Sequence, residues 1–369
     1  MAISRRTLGL GILGLSATAT GAVLYGRSNP LVRGYLGATT KLFGFVGGEK
    51  ERFLANPDVA AALRRHGGLV LDARRAGSIE MARERPILDQ NPQFLWPSSS
   101  VLVDLARANG VRIQRDQVIL NSPLVVYSWD NIAKGLVTAG LAQADTDVRY
   151  RLDLAKLLDA ILANKRWSDI GVASLYGNAR LLSTDPNRSN SGFMFAGLAA
   201  NLLAGEVATG ATPAAIGAKV ETIFARMGYK PSSSGKMFED YLAGGPGAQP
   251  LIVGYENQLV EWVLEDEARW RRLEAAAPSR PVVLYPQPTV FSAHPLLAVD
   301  DKAGALIETL MSPDVQQIAW TRHGFRGPLG TSGEAGNALI RDRILPRIDA
   351  VTPMPDFRTM LALIDRLAA

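Results

Sequence analysis

Ser183-Thr-Asp-Pro-Asn-Arg-Ser-Asn-Ser-Gly192 runs directly into the apolar segment Phe193-Met-Phe-Ala-Gly-Leu-Ala-Ala-Asn-Leu-Leu203. Small hydroxyl and amide side chains stand where a helix begins. The first backbone N–H groups of a helix lack internal partners, and its N-terminus carries a partial positive charge. A loop of this kind holds an anion or a polar ligand through backbone donors, with Ser189, Asn190 and Ser191 at the helix start and Arg188 able to clamp an anion bidentately. The structural alternative is plain N-capping, worth about 1 kcal/mol per cap, with Arg188 paired to Asp185.

Two other loops share the design. Gly47-Gly48 and Ser98-Ser99-Ser100 each follow a strand or turn and precede a helix. Strands are expected at Lys41–Val46, Leu69–Ala73, Phe94–Trp96 and Val118–Tyr127, the last broken at Ser122-Pro123. Helices are expected at 49–53, 58–65 and 101–108. This alternation implies βαβ units in a mainly parallel sheet. Ligands of such sheets bind where loops meet at the carboxyl ends of the strands. After Trp129 the pattern changes. Helices near 151–164, 192–205, 213–228 and 257–276 enclose short extended segments at 170–175 and 250–253, a second α/β unit. Further strands are expected at 282–285 and 289–292, then closing helices at 303–310 and 354–367. Pro231–Gly235 and Gly244–Gln249 read as loops.

The chain has 369 residues, 47% hydrophobic and 20% charged, with net charge +5, enough for about two globular domains. The charge suits an anionic ligand. No basic block interleaved with aromatics is present, so nucleic acid is not an expected partner. There is no cysteine, hence no disulfide or thiolate nucleophile. His66, His294 and His323 are too scattered for a metal site, and no cofactor is expected. At the N-terminus, Arg5-Arg6 precedes an uncharged run from Leu8 to Tyr25, the pattern of an export signal. The paired arginines resemble the twin-arginine type, with a small-x-small site at Ala17-Thr18-Ala19. The same run is close to the ~18–20 residues of a spanning helix, so cleavage and a retained anchor over 1–26 both stay open. Either places the remainder in the periplasm or on the extracellular face.

In order along the chain, Ala76-Gly77-Ser78, Trp96-Pro97-Ser98-Ser99-Ser100, Ser122-Pro123-Leu-Val-Val-Tyr127, Thr184 to Gly192, Gly254-Tyr255-Glu256, Leu284-Tyr285-Pro286 and His323-Gly-Phe-Arg326 resemble the bacterial extracellular solute-binding proteins of the type II periplasmic-binding fold. The similarity is to the branch of molybdate- and sulfate-type binding proteins and spans about 41 to 330. The resemblance implies two α/β lobes with mixed, mainly parallel sheets, 40–124 plus 290–369 and 125–289, joined by two crossing segments near Ser122–Trp129 and Tyr285–Ser292. It implies a non-catalytic receptor, monomeric, that passes a small polar or anionic solute to the permease of an ABC-type transporter. By position, Gly48, Ser78, Ser99, Ser122, Asn190, Ser191, Tyr255 and Tyr285 would face the interlobe cleft, beside the loop residues Ser98, Arg188 and Ser189. The first loop departs from the pattern: Glu49-Lys50 follows Gly47-Gly48 where oxyanion binders offer a small residue and a serine.

Two other functions compete. One is a membrane-tethered sensing or scaffold protein built on the same fold. The other is a serine hydrolase, from the Ser-x-x-Lys spacing of Ser233-Ser-Gly-Lys236.

Overall fold

β4, Arg115–Trp129, is a single 15-residue strand that runs through both halves of the molecule. Its first part pairs antiparallel with β9 (Phe291–Ala298), from Arg115 to Pro123. Its second part pairs with β7 (Ile252–Tyr255) and β8 (Pro281–Pro286). Pro123, expected to break the strand, sits where β4 exchanges partners. A missing N–H there costs no interior ladder bond, and the next amide, Leu124 N, donates to Val290 O at 2.9 Å. From Ile119 onward every residue of β4 is buried, which accounts for the apolar run Leu124-Val-Val-Tyr127.

This computed structural model describes residues 39–276, 279–330 and 337–368; residues 1–26, expected to be an export signal or membrane anchor, lie outside them. Around β4 the sheet order is β2-β1-β3-β9-β4-β8-β6-β5, with β7 added on β4. The remaining strands are β1 (Thr40–Val46), β2 (Leu69–Arg75), β3 (Phe94–Trp96), β5 (Ala142–Ala144) and β6 (Arg149–Leu152). The result is the expected pair of α/β lobes, crossed once by β4 and once by the β8–β9 connection.

The sheet is mixed, as expected. β1 pairs parallel with β2 and β3, and β6 with β8. The crossing strands pair antiparallel, because β4 carries the chain into the second lobe and β9 brings it back.

Other expectations change as well. Helices Asp130–Thr138, Ser234–Ala248 and Pro313–His323 form where none was expected. The segment 170–175 is a 3-10 turn and bends, not a strand. The run 257–276 divides at Asp266 into Glu256–Glu265 and Glu267–Ala276. The closing helix Phe357–Ala368, grouped with the first lobe in the expected division, packs chiefly on Asn190–Ala204 and Ala214–Arg226 of the second and also touches Val101–Ala108 of the first. Its face Met360, Leu363 and Ile364 is buried there. Asn187 Nδ2 donates to Ile364 O at 3.0 Å, and Arg366 pairs with Glu221 at 2.7 Å. An amphipathic stripe demands an apolar partner without specifying which.

Helix Asn190–Ala204 is apolar around its circumference and buried from Asn190 through Asn201, as a core helix must be. It fixes the Thr184–Gly192 loop against the cleft. A Cβ on Gly192 would collide with the Thr184 carbonyl oxygen and lie 2.9 Å from Pro186 N, so this turn requires glycine.

Candidate functional site

Between the lobes lies a cleft of about 670 Å³, within the range of small-molecule sites. One wall is Gly47 to Arg52 and Arg75 to Ser78. The other is Arg188 to Asn190, Ser232 to Lys236 and Asn257 to Trp262.

The floor is a closed hydrogen-bond network around Lys50, whose side chain is fully buried. Its ammonium donates to Glu49 Oε1 at 2.6 Å, Ser98 Oγ at 2.8 Å and His294 Nδ1 at 3.1 Å. Those three acceptors use all its protons. Ser98 Oγ donates to Glu49 Oε1 and accepts from Ser78 Oγ at 3.2 Å. Ser78 Oγ accepts from Ser98 N at 3.1 Å. With Nδ1 of His294 accepting, its proton sits on Nε2, which faces Ser292 Oγ at 3.3 Å; Ser292 Oγ donates to Ser98 O at 2.7 Å. Burial, followed by the Lys50 charge, holds His294 well below its ordinary pKa, so it is the neutral imidazole this pattern requires. Burial likewise lowers Lys50, against the opposing pull of Glu49.

Asn190 ties the lobes together over this floor. Its amide donates to Ser98 O and to Tyr255 OH, both at 2.9 Å. Burial, then the charge of Glu49, pushes the Tyr255 phenol far above its usual range, which keeps it neutral. The amide oxygens of Asn190 and Asn257, both residues bordering the cleft, are buried without a hydrogen-bond partner. Such groups carry an uncompensated desolvation cost.

Most cleft charges are already paired. Arg52 reaches Glu265 at 3.0 Å and Glu239 at 3.9 Å. Arg75 lies 3.5 Å from Glu51. Glu261 holds His323 at 2.6 Å, and Lys236 pairs with Asp240. Arg188 is exposed to the cleft and, among the described residues, forms no ion pair; Asp185 instead accepts from Asn187 N.

Of the sequence candidates, Gly48, Ser78, Arg188, Ser189 and Asn190 border the cleft. Ser98 lies in its floor. Tyr255 supports Asn190 from behind. Ser99, 2% exposed, is buried at the start of helix Val101–Ala108. Ser122 is buried and accepts from Asn257 N at 3.2 Å. Ser191 is buried against Thr184 Oγ1 at 2.7 Å. Tyr285 is turned away from the cleft, its hydroxyl bonded to Glu256. Glu256 in turn forms a buried ion pair with Arg326, at 2.7 and 2.9 Å. Ser99, Ser122, Ser191 and Tyr285, expected to face the cleft, are instead buried in its walls and core, Ser122 and Tyr285 on strands β4 and β8.

Lys50 and His294 were missed. A lysine next to an acidic residue reads as surface, and His294 reaches the floor only through β9. The residues of the hydrolase motif have structural partners. Ser233 Oγ caps Lys236 N, and the Asp240 bond raises the exposed Lys236, opposite to what a lysine base needs.

No family model matches this sequence, and no curated protein matches it. Solved structures do match. A periplasmic thiamin binding protein superposes with a TM-score of 0.61 at 11% identity, over 89% of this chain and 95% of that one. The periplasmic binding protein AfuA from Actinobacillus pleuropneumoniae, with fructose-6-phosphate bound, gives 0.55 at 13%, over 89% and 98%. The sulfate-binding protein SubI from Mycobacterium tuberculosis H37Rv gives 0.52 at 15%, over 89% and 96%. The fold is the type II periplasmic-binding fold.

Proposed function

We propose that this chain is an exported receptor that captures a small polar or anionic solute between its lobes and delivers it to the permease of an ABC-type transporter. One observation carries the reading: a cleft lined from both lobes by backbone, hydroxyl and amide groups, with partnerless amide oxygens at Asn190 and Asn257 and a free cation at Arg188. Ligand donors complete the two amides and Arg188 takes a negative group. Gly48, Ser78, Ser189 and Asn190 supply the remaining contacts. Hinge motion about β4 and the β8–β9 connection opens and closes the site. The receptor works as a monomer outside the cytoplasm.

A ligand that binds only the native state stabilises it by mass action, by about 2.7 kcal/mol at a hundredfold excess over Kd. Native mass spectrometry of the purified protein is expected to show a bound small molecule. A thermal-shift screen over sugar phosphates, carboxylates, oxyanions and thiamin-like cations is expected to return a stabilising ligand whose effect is lost in Arg188→Gln. Failure of every class to stabilise the protein refutes the reading.

A further inference from the structure

Glu49 borders the cleft and is folded back onto its floor, with 16% of its side chain exposed. Oε1 takes the bonds from Lys50 Nζ and Ser98 Oγ, while Oε2 has no hydrogen-bond donor among the described residues. Gly47 makes this posture possible: a Cβ there would strike the Glu49 carboxylate and come within 2.7 Å of Ser98 Oγ. Lys50 is a fully buried cation whose ion-pair partner among the described residues is Glu49. An ammonium and a serine hydroxyl converging on one oxygen is a donor set for an anion, and here the chain supplies that anion itself.

We propose that Glu49 permanently occupies an anion subsite built by Lys50 and Ser98, and so acts as the specificity determinant that bars free oxyanions from the cleft floor. This rests on the reading of the cleft as a solute site and narrows its solute class. A second anion at the floor would meet the Glu49 charge in a weakly solvated space, where like-charge repulsion is strong. The exposed, unpaired Arg188 then receives the negative end of the solute. The end facing Glu49 carries donors, hydroxyl or amino groups, for the vacant lone pairs of Oε2. The favoured solute is a polyol or amino compound with its single acidic group at the far end.

The test uses acetate, the fragment removed by Glu49→Ala. That substitution leaves Lys50 buried without a counter-ion beside a hole of matching size. Acetate is expected to raise the melting temperature of Glu49→Ala saturably, by at least about 2 °C over chloride at equal ionic strength. Wild type and the double variant Glu49→Ala/Lys50→Met are expected to show no such rise beyond one that Arg188→Gln abolishes, whereas the rise in Glu49→Ala survives Arg188→Gln. An equal response in all three, or none in Glu49→Ala, overturns the proposal.

Wild-type protein supplies a second measurement that stands even if Glu49→Ala does not fold. Inorganic sulfate is expected either not to stabilise it or to do so only through Arg188, with the effect abolished in Arg188→Gln. Saturable sulfate stabilisation that survives Arg188→Gln places the ion at Lys50 and overturns the proposal. The solute screen is separate: rescue without any wild-type ligand refutes the receptor reading alone, and a ligand without rescue refutes the role of Glu49 alone.

Discussion

His294 and Lys50 are two bases in one buried hydrogen-bond chain, and burial depresses both. For His294 the consequence is a pH dependence with a definite sign. Above about pH 6.5 the imidazole is neutral in the folded and unfolded chain alike. Below it the unfolded chain takes up a proton that the native state refuses, so stability falls as pH drops, by up to about 1.4 kcal/mol per unit, until the native group itself titrates. Urea midpoints between neutral and mildly acidic pH are expected to fall more steeply for wild type than for His294→Gln; parallel curves would contradict the neutral, Nε2-protonated assignment. The Glu256–Arg326 pair tests a different residue-scale claim. Both side chains are essentially inaccessible, at 1% and 0%, and Tyr285 adds a hydrogen bond to the carboxylate. Glu256→Gln leaves the guanidinium buried without its charge partner and is expected to cost about 3–5 kcal/mol in urea unfolding. Arg326 lies 70 residues away, brought there by the contact of helices Glu256–Glu265 and Pro313–His323 and by its backbone bridge to Asn121 of β4.

Among elements, the start of helix Asn190–Ala204 does the most for the site. Its glycine is required by the fixed backbone of Thr184 and Pro186, neither of which has room to yield. Gly192→Ala is expected to lower stability by about 1–3 kcal/mol through overpacking, and to weaken ligand binding because the displaced turn carries Arg188, Ser189 and Asn190. Unchanged stability and affinity would show that the loop adapts. Local signals read other elements well. Phe94–Trp96 and Val101–Ala108 form with the expected bounds, since each is a short apolar pattern closed by Pro97 or by Asn109-Gly110. Helix Ser234–Ala248 escaped because Gly244-Gly245-Pro246 reads as a breaker. In the structure Gly245 leaves helical geometry at φ 70°, ψ −175°, and the chain resumes a last turn after it. Burial of Met237, Phe238, Tyr241 and Leu242 outweighs the weak local propensity.

For the whole molecule the decisive contact is the one Asn190 makes across the lobes, to Ser98 O in the first and Tyr255 OH in the second. The pairs of Arg52 with Glu265 and Glu239 also cross the cleft, but they are about half exposed and each contributes at most about 1 kcal/mol. Asn190→Ala is accordingly expected to enlarge the radius of gyration in solution scattering, and Arg52→Ala to change it far less. Identical profiles for wild type and Asn190→Ala would show that the buried amide does not hold the lobes together. What the sequence by itself determined was the alternation of strands and helices and the small-residue turn Arg188-Ser189-Asn190 at the start of a helix. Each of these is written in adjacent residues as periodicity, capping or glycine placement. What only the tertiary structure decided was the pairing of Lys50 with His294, 244 residues apart, the enclosure of Glu49, the burial of Ser122, Ser191 and Tyr285, and the attachment of the C-terminal helix to the second lobe. Those outcomes depend on which apolar surfaces meet across the sheet, and solvent exclusion at that meeting turns an ordinary Glu-Lys dipeptide into the floor of a cleft.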